Sequence, residues 1–265
     1  MNYKAIQETR NEALRVTTPE NMAKMDAKNK FLRNLPLVES TLTSPARAQE
    51  IRRLLTVALN IDDYEDSRGF RAFDKLAKMK AKEAIPILVE YLSANSWLVR
   101  ENSAETLGKL KATHLIPALH KKLKEKLESK AEWSELQGLV FALGELKAKE
   151  ALPEIWQCLK NGNSWLKRAA VKAVGKMHEA SLTPFLMLFV LDNDEDSDLR
   201  EESKEVLKQF SLKEFLAEFD SAPAPIFRQL IAVFLNDFQS TFVKKSKQAE
   251  LCSFFHGRLK IERDP

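Results

Sequence analysis

From residue 76 onward, apolar positions recur in a helical rhythm that restarts at regular intervals. The restart is an eleven-residue junction, reading LAKMKAKEAIP at 76–86, LGKLKATHLIP at 107–117, LGELKAKEALP at 143–153 and VGKMHEASLTP at 174–184. The closing prolines, Pro86, Pro117, Pro153 and Pro184, are spaced by 31, 36 and 31 residues. Proline suits the first helical turn, where its missing N–H costs nothing. Each junction therefore predicts the end of one helix and the start of the next. After three of the prolines, apolar residues fall at plus two, five and six: Leu88, Tyr91, Leu92; Ile155, Cys158, Leu159; Leu186, Phe189, Val190. That is one buried stripe at helical period. Leu119 and Leu123 keep the plan after Pro117, with Lys122 as the exception. A second helix is predicted in each unit, over 97–110, 133–146, 164–177 and 198–209.

Two helices of about 12 residues and two short turns fill such a unit. Neither helix can bury its stripe alone, so the units must stack. Gly108 and Gly144 are predicted to let backbones approach closely. The patterns Val99-Arg100…Ala104…Leu107-Gly108 and Ala84-Ile85-Pro86…Leu88 resemble the HEAT-like repeats named for the phycobilisome lyase family. The resemblance covers residues 46–210 and implies an all-α fold, an α-α solenoid of HEAT-like helical hairpins. The Trp…Leu-Gly…Tyr first helix of tetratricopeptide repeats is missing. The Thr-Pro-Leu-His turn of ankyrin repeats is hinted at only by Thr183-Pro184.

Helices at 46–60 and 68–80 form a diverged first unit, joined by an acidic loop at 61–67. Three segments follow: an N-terminal helical cap over 1–45, the repeat array over 46–210, and a C-terminal helical cap over 211–265. Polar outer faces at the ends of an array are what such caps supply. One continuous array is expected.

Composition adds limits. The chain has 265 residues, only 7 of them Gly, which argues against a turn-rich β fold. Its 42 basic and 38 acidic residues give a net charge of +4, a balanced surface and not a polycation. Two cysteines, Cys158 and Cys252, form no disulfide framework, and the polar N-terminus has no apolar signal stretch. The longest apolar run, Phe185–Leu191, is too short to span a bilayer. A cytoplasmic protein away from membranes is expected, with its oligomeric state open.

Candidate chemistry is sparse. None of His114, His120, His178 and His256 pairs with another His or Cys at metal-ligand spacing, apart from Cys252 and His256 four residues apart. No second pair completes a zinc site. Cys158 occupies a core slot. The acidic run 192–198 resembles a calcium loop but has Ser197 where that loop needs Gly and Ser203 where it needs Glu. It reads better as an acidic cap on the helix that follows. Phosphate-binding, nucleophile-elbow and zinc-protease motifs are missing. The chain is therefore read with no catalytic residues, no cofactor and no metal, as a binding module more than an enzyme.

One pattern stands apart. Asn-Ser-Trp-Leu occurs at 95–98 and again at 163–166, and Trp133 holds the matching place between them. Three successive second helices thus begin with Trp97, Trp133 and Trp165. Ser96 and Ser164 are the expected N-caps. The indoles are expected on one edge, in a row about 10 Å apart, the helix-packing distance. Arg100 and Arg168, one turn on, and Lys172 would add polar contacts. In HEAT-like arrays the second helices line the concave face. The resemblance therefore implies Arg100, Glu101, Glu135, Arg168, Lys172 and Glu201 on that face. Trp156 lies in a first helix and reads as interface filling.

The expected function is a non-enzymatic protein-interaction module or scaffold. Its protein or peptide partner would sit on the concave face or on the tryptophan-lined edge. The alternative is a nucleic-acid-binding or base-excision enzyme resembling the HEAT-like alkylpurine DNA glycosylases. Glu101, Glu135, Glu201 and Glu202 disfavour it, because phosphate contacts dominate DNA affinity. Bilin attachment, which the family name suggests, has no residue here that points to it.

Overall fold

The computed structural model describes residues 44–61, 67–191 and 196–221. Of the expected caps over 1–45 and 211–265, residues 1–43 and 222–265, with Cys252 and His256, lie outside the described residues, as does most of the 61–67 loop. Among the described residues the secondary structure is helical throughout. The fold is all-α, built of HEAT-like hairpins, and it divides into two compact units, Met1–Tyr91 and Leu92–Pro265.

The first unit contains α1 (Pro45–Leu59), α2 (Ser67–Lys78) and α3 (Ile85–Tyr91). Ser44 caps α1 by accepting the Arg47 N–H, with Pro45 at the first helical position. Ile51, Leu54 and Leu55 of α1 are buried, as are Phe73 and Leu76 of α2. Tyr91 is sunk to 2% exposure, and its hydroxyl donates to the Leu55 carbonyl at 2.9 Å. A buried hydroxyl left without a partner would cost about 1–3 kcal/mol.

The second unit contains α4 (Trp97–Lys109), α5 (Ile116–Glu128), α6 (Trp133–Glu145), α7 (Leu152–Asn161), α8 (Ser164–Met177), α9 (Thr183–Leu191), α10 (Ser197–Leu207) and α11 (Leu212–Ser221). Second helices pack in the order α4–α6–α8–α10, and α5, α7 and α9 each pack on the second helix of their own hairpin. This is an α-α solenoid of two layers. The inner layer is the more completely buried: α6 buries every residue from Leu136 to Gly144. In the outer layer, Trp156 of α7 meets Phe185 of α9 edge-on at 5.9 Å, the interface filling expected of it.

The four junctions share one geometry. Lys80, Lys111, Lys147 and His178 all take left-handed φ values, between 49° and 58°. The next residue's N–H then reaches back to close the helix, as Ala81 does to the Leu76 carbonyl at 3.0 Å and Ala148 to Leu143 at 2.9 Å. A single 3₁₀ turn follows each, and Pro86, Pro117, Pro153 and Pro184 are each the second residue of the next helix. The prolines sit as the spacing predicts.

Two glycines of α6 allow the inner layer to close up. A Cβ on Gly138 would lie 2.0 Å from the Leu92 carbonyl oxygen, and one on Gly144 would lie 2.6 Å from the Ala173 Cα of α8. Neither obstacle is a movable side-chain tip. Cys158 is 1% exposed, and burial pushes its thiol up to about 12, as fits a structural thiol. Asp196 caps α10 by accepting from the Asp198 and Leu199 N–H groups. That is the acidic cap anticipated for this run, whose residues 192–195 lie outside the described ones. The cap of α8 is corrected: Asn163, not Ser164, accepts the Leu166 N–H at 3.0 Å, because α8 begins one residue early, at Ser164.

Candidate functional site: an aromatic cleft and a charged hollow

Trp97 and Trp133 are the first residues of α4 and α6, and Trp165 is the second residue of α8. Because these helices pack side by side, their first turns come together. The three indoles line one cleft of about 240 Å³, rimmed by Asn95, Ser134 and Asn163. Trp133 is 40% exposed and Trp165 54%, while Trp97 is half-buried. The expected even row is corrected. Trp97 and Trp165 belong to repeats two apart, yet their ring centroids stand 6.3 Å apart at 45°. The inner layer is curved enough for side chains of α4 and α8 to meet across α6.

Arg100 departs from its expected place on the open face. It is only 6% exposed and forms the floor of the cleft. Its Nη1 donates to the Ala94 and Asn95 carbonyl oxygens at 2.7 and 2.8 Å. Its Nε and Nη2 both donate to Gln137 Oε1. Gln137, itself 4% exposed, donates from Nε2 to the Trp165 carbonyl oxygen at 3.5 Å. The chain Asn95–Arg100–Gln137–Trp165 ties the three helix starts together. Burial pushes the Arg100 pKa down, as it must for a guanidinium held by neutral acceptors.

Arg168 stands over the Trp165 ring with its guanidinium carbon 5.4 Å from the centroid, and its Nη1 donates to Asp198 Oδ2 at 3.1 Å. The ring face attracts the cation, and Asp198 holds it in place.

One to two turns further along α4, and two to three along α8, lies a second hollow, of about 500 Å³. Its charged lining is Glu101, Glu105, Glu145 and Glu202 against Lys172 and Lys176. Lys172 reaches Glu101 at 2.6 Å and Glu202 at 3.7 Å, with its ammonium 5.9 Å from the centre of the Phe141 ring. Lys176 pairs with Glu145 at 2.8 Å, and Lys109 reaches Glu105 at 3.0 Å from outside the hollow. Burial alone would lower the Lys172 pKa; the charge and hydrogen bond of Glu101 and the charge of Glu202 overcome it and leave the pKa raised. Glu202 is raised too, first by burial, with Glu101 adding to it and Lys172 and Arg168 opposing it.

One face assignment changes. Glu201 points outward, 66% exposed and paired with Lys204 at 2.6 Å, while its neighbour Glu202 faces the hollow, on the face expected of both. Glu135 is held by Lys126. Of the expected site residues, Trp97, Arg100, Trp133 and Trp165 line the cleft, Arg168 adjoins it, and Lys172 lines the hollow. Gln137 was missed. Its signal is visible in hindsight: it is the one polar residue in the run LQGLVFALG, beside a glycine.

Among the described residues no group of three or more His, Cys, Asp and Glu is placed to hold a metal ion. No helix among them is long and apolar enough to cross a membrane.

Residues 120–208 match the family described as HEAT repeats, and over that span the chain folds as HEAT-like helical hairpins. No curated protein sequence is significantly similar to it. Among solved structures, the chain is similar to the complex of CpcE and CpcF of phycocyanin lyase from Nostoc sp. PCC7120, at 20% identity and a TM-score of 0.41, over 79% of this chain and 82% of that one. It is also similar to human deoxyhypusine hydroxylase in complex with glycerol, at 16% identity and a TM-score of 0.29, over 84% of this chain and 100% of that one.

Proposed function

We propose that this chain is a non-enzymatic interaction module that takes a protein or peptide partner in the cleft of Trp97, Trp133 and Trp165. The observation that carries this reading is the convergence of three indoles from three helices, with Trp133 and Trp165 40% and 54% exposed. Trp is enriched where proteins bind one another, because a large rigid apolar body loses little entropy on docking. Covering the open parts of two indoles removes roughly 200 Å² of apolar surface from water, worth about 5 kcal/mol before the cost of association. That is enough to anchor a segment and too little to hold it without further contacts.

Nucleic acid fits less well. The basic groups near the cleft are committed: Arg100 to carbonyl oxygens and Gln137, Arg168 to Asp198, and Lys172 to Glu101. The carboxylates of the neighbouring hollow would repel phosphate. In this reading the array runs over 46–210 with helical caps on both sides. A cytoplasmic setting suits a chain of two cysteines whose Cys158 is a free thiol.

The test is a display selection of random dodecapeptides on the full chain, with counter-measurement on Trp165→Ala. Enriched peptides should bind the natural chain and lose at least tenfold in affinity on the variant. Peptides that bind both equally, or a duplex oligonucleotide that binds more tightly than any peptide and weakens steeply with salt, would overturn the proposal.

A further inference from the structure

The cleft and the hollow lie on the same stretch of the inner layer. On α4 the residues facing them are Trp97, Glu101 and Glu105, four apart, and on α8 they are Trp165, Arg168, Lys172 and Lys176. At 1.5 Å per residue, the four residues from Trp97 to Glu101 and the seven from Trp165 to Lys172 span about 6–10 Å, and Glu202 of α10 shares the Lys172 ammonium with Glu101 at that level. An extended chain covers that distance in roughly two to four residues.

The hollow is not charge-balanced. Glu145 has Lys176 and Glu105 has Lys109. Glu101 takes Lys172 at 2.6 Å, which leaves Glu202 sharing that same ammonium at 3.7 Å. Glu202 is thus the one carboxylate of the four without a lysine of its own, Arg168, the other cation that acts on it, being bonded to Asp198, and its side chain is only 23% exposed. Opposite charge placed beside a partly buried, under-compensated carboxylate gains more than at an open surface. Phe141 and the stem of Lys172 give the floor an apolar strip along which an alkyl chain can lie.

We infer that the partner is a basic linear segment: an aromatic or large apolar side chain enters the tryptophan cleft, and a Lys or Arg two to four residues away places its charge at Glu202. The inference rests on the reading of the cleft as the partner site. A neutral segment would leave Glu202 as it is, and an acidic one would meet four carboxylates. A nucleic acid would bring phosphate to the same place.

The same selection on the full chain reads the inference directly. Enriched sequences should share an aromatic or large apolar residue with Lys or Arg two to four positions away. Fluorescence anisotropy on one enriched peptide, its Lys→Gln form and its Lys→Glu form should give affinities falling in that order, with at least tenfold between the Lys and Glu forms. Glu202→Gln should shrink that gap severalfold and leave the Gln form's affinity unchanged. The variant removes a carboxylate that burial penalises, so it should fold at least as well as the natural chain. If enrichment shows the apolar anchor with no basic preference, or if Glu202→Gln leaves the gap intact, the basic segment is wrong while the cleft stands. If Trp165→Ala leaves every affinity unchanged, the cleft is wrong, and the inference falls with it.

Discussion

Lys172 of α8 reaches Glu101 of α4 at 2.6 Å, across the helix that separates them. The pair crosses a whole repeat, so it is a tie between non-neighbours as well as a charge contact. Its Lys is 29% exposed and its Glu 27%, so solvent screens it only in part. Lys172→Met should lower stability by about 1–2 kcal/mol, since two partly buried carboxylates lose their cation. The same change should strengthen binding of a basic peptide. Opposite signs from denaturant melts and anisotropy would separate the tie from the site. Loss of both together would show Lys172 to be purely architectural.

The cleft sets an exposed ring beside a buried structural cation. Trp165 is 54% exposed, so Trp165→Ala should cost no more than about 1 kcal/mol of stability. Arg100 is 6% exposed, and Arg100→Ala strands two carbonyl oxygens and Gln137. It should cost about 3 kcal/mol or more. Urea melts of the two variants check the ranking, and an Arg100→Ala chain as stable as Trp165→Ala would contradict the buried network.

Backbone approach at α6 makes a sharper case. A methyl group at Gly138 would sit 2.0 Å from the Leu92 carbonyl oxygen. Gly138→Ala gains helix propensity of about 1 kcal/mol but must push a backbone segment aside. The net should be a loss of at least about 2 kcal/mol. A variant more stable than the natural chain would mean the two segments are not in contact.

The reverse substitution is expected at a junction. Lys147 holds φ 58°, a conformation in which only glycine avoids a Cβ penalty. Lys147→Gly should raise stability by about 0.5–1 kcal/mol, read as a higher midpoint in denaturant.

Acidity should act through Glu202. Its pKa in the folded chain is raised above the 4.5 of the free side chain by burial, with Glu101 adding and Lys172 and Arg168 opposing. A raised carboxylate contributes stability that is present below 4.5 and lost as pH rises through the folded value. Glu202→Gln should flatten that part of the stability profile. A bound cation favours the ionised form, so the affinity of a basic peptide should climb over the same window in the natural chain and stay level in the variant. Parallel profiles would remove Glu202 from the binding surface.

The fold was legible because its signals are local. The eleven-residue junction, Pro86 and its three counterparts, and the small residues Gly108 and Gly144 each act within a turn or against a neighbouring helix. The gathering of Trp97, Trp133 and Trp165 was legible for the same reason, as a shared position at helix starts. What escaped depends on rotation about helix axes and on contacts two repeats apart. Glu201 and Glu202 are adjacent in sequence but some 100° apart around α10, and only packing decides which one faces Lys172. The burial of Arg100 depends on Gln137 standing 37 residues away to receive it. The even spacing expected of the indoles ignored curvature, which no single repeat encodes.

The approach of Trp97 to Trp165 makes this part of the array its own strain gauge. The two rings are carried by α4 and α8, which flank α6, so a small change of tilt at either interface adds to the other before it reaches the indoles. Flattening the curve would draw the pair apart and widen the mouth; tightening it would press the rings together and shut the mouth. Tension along the chain, or a ligand that wedges the inner layer, would therefore register in indole emission without any label. Were the proposed partner to sit between these rings, its grip and the bending of this part of the array would be coupled.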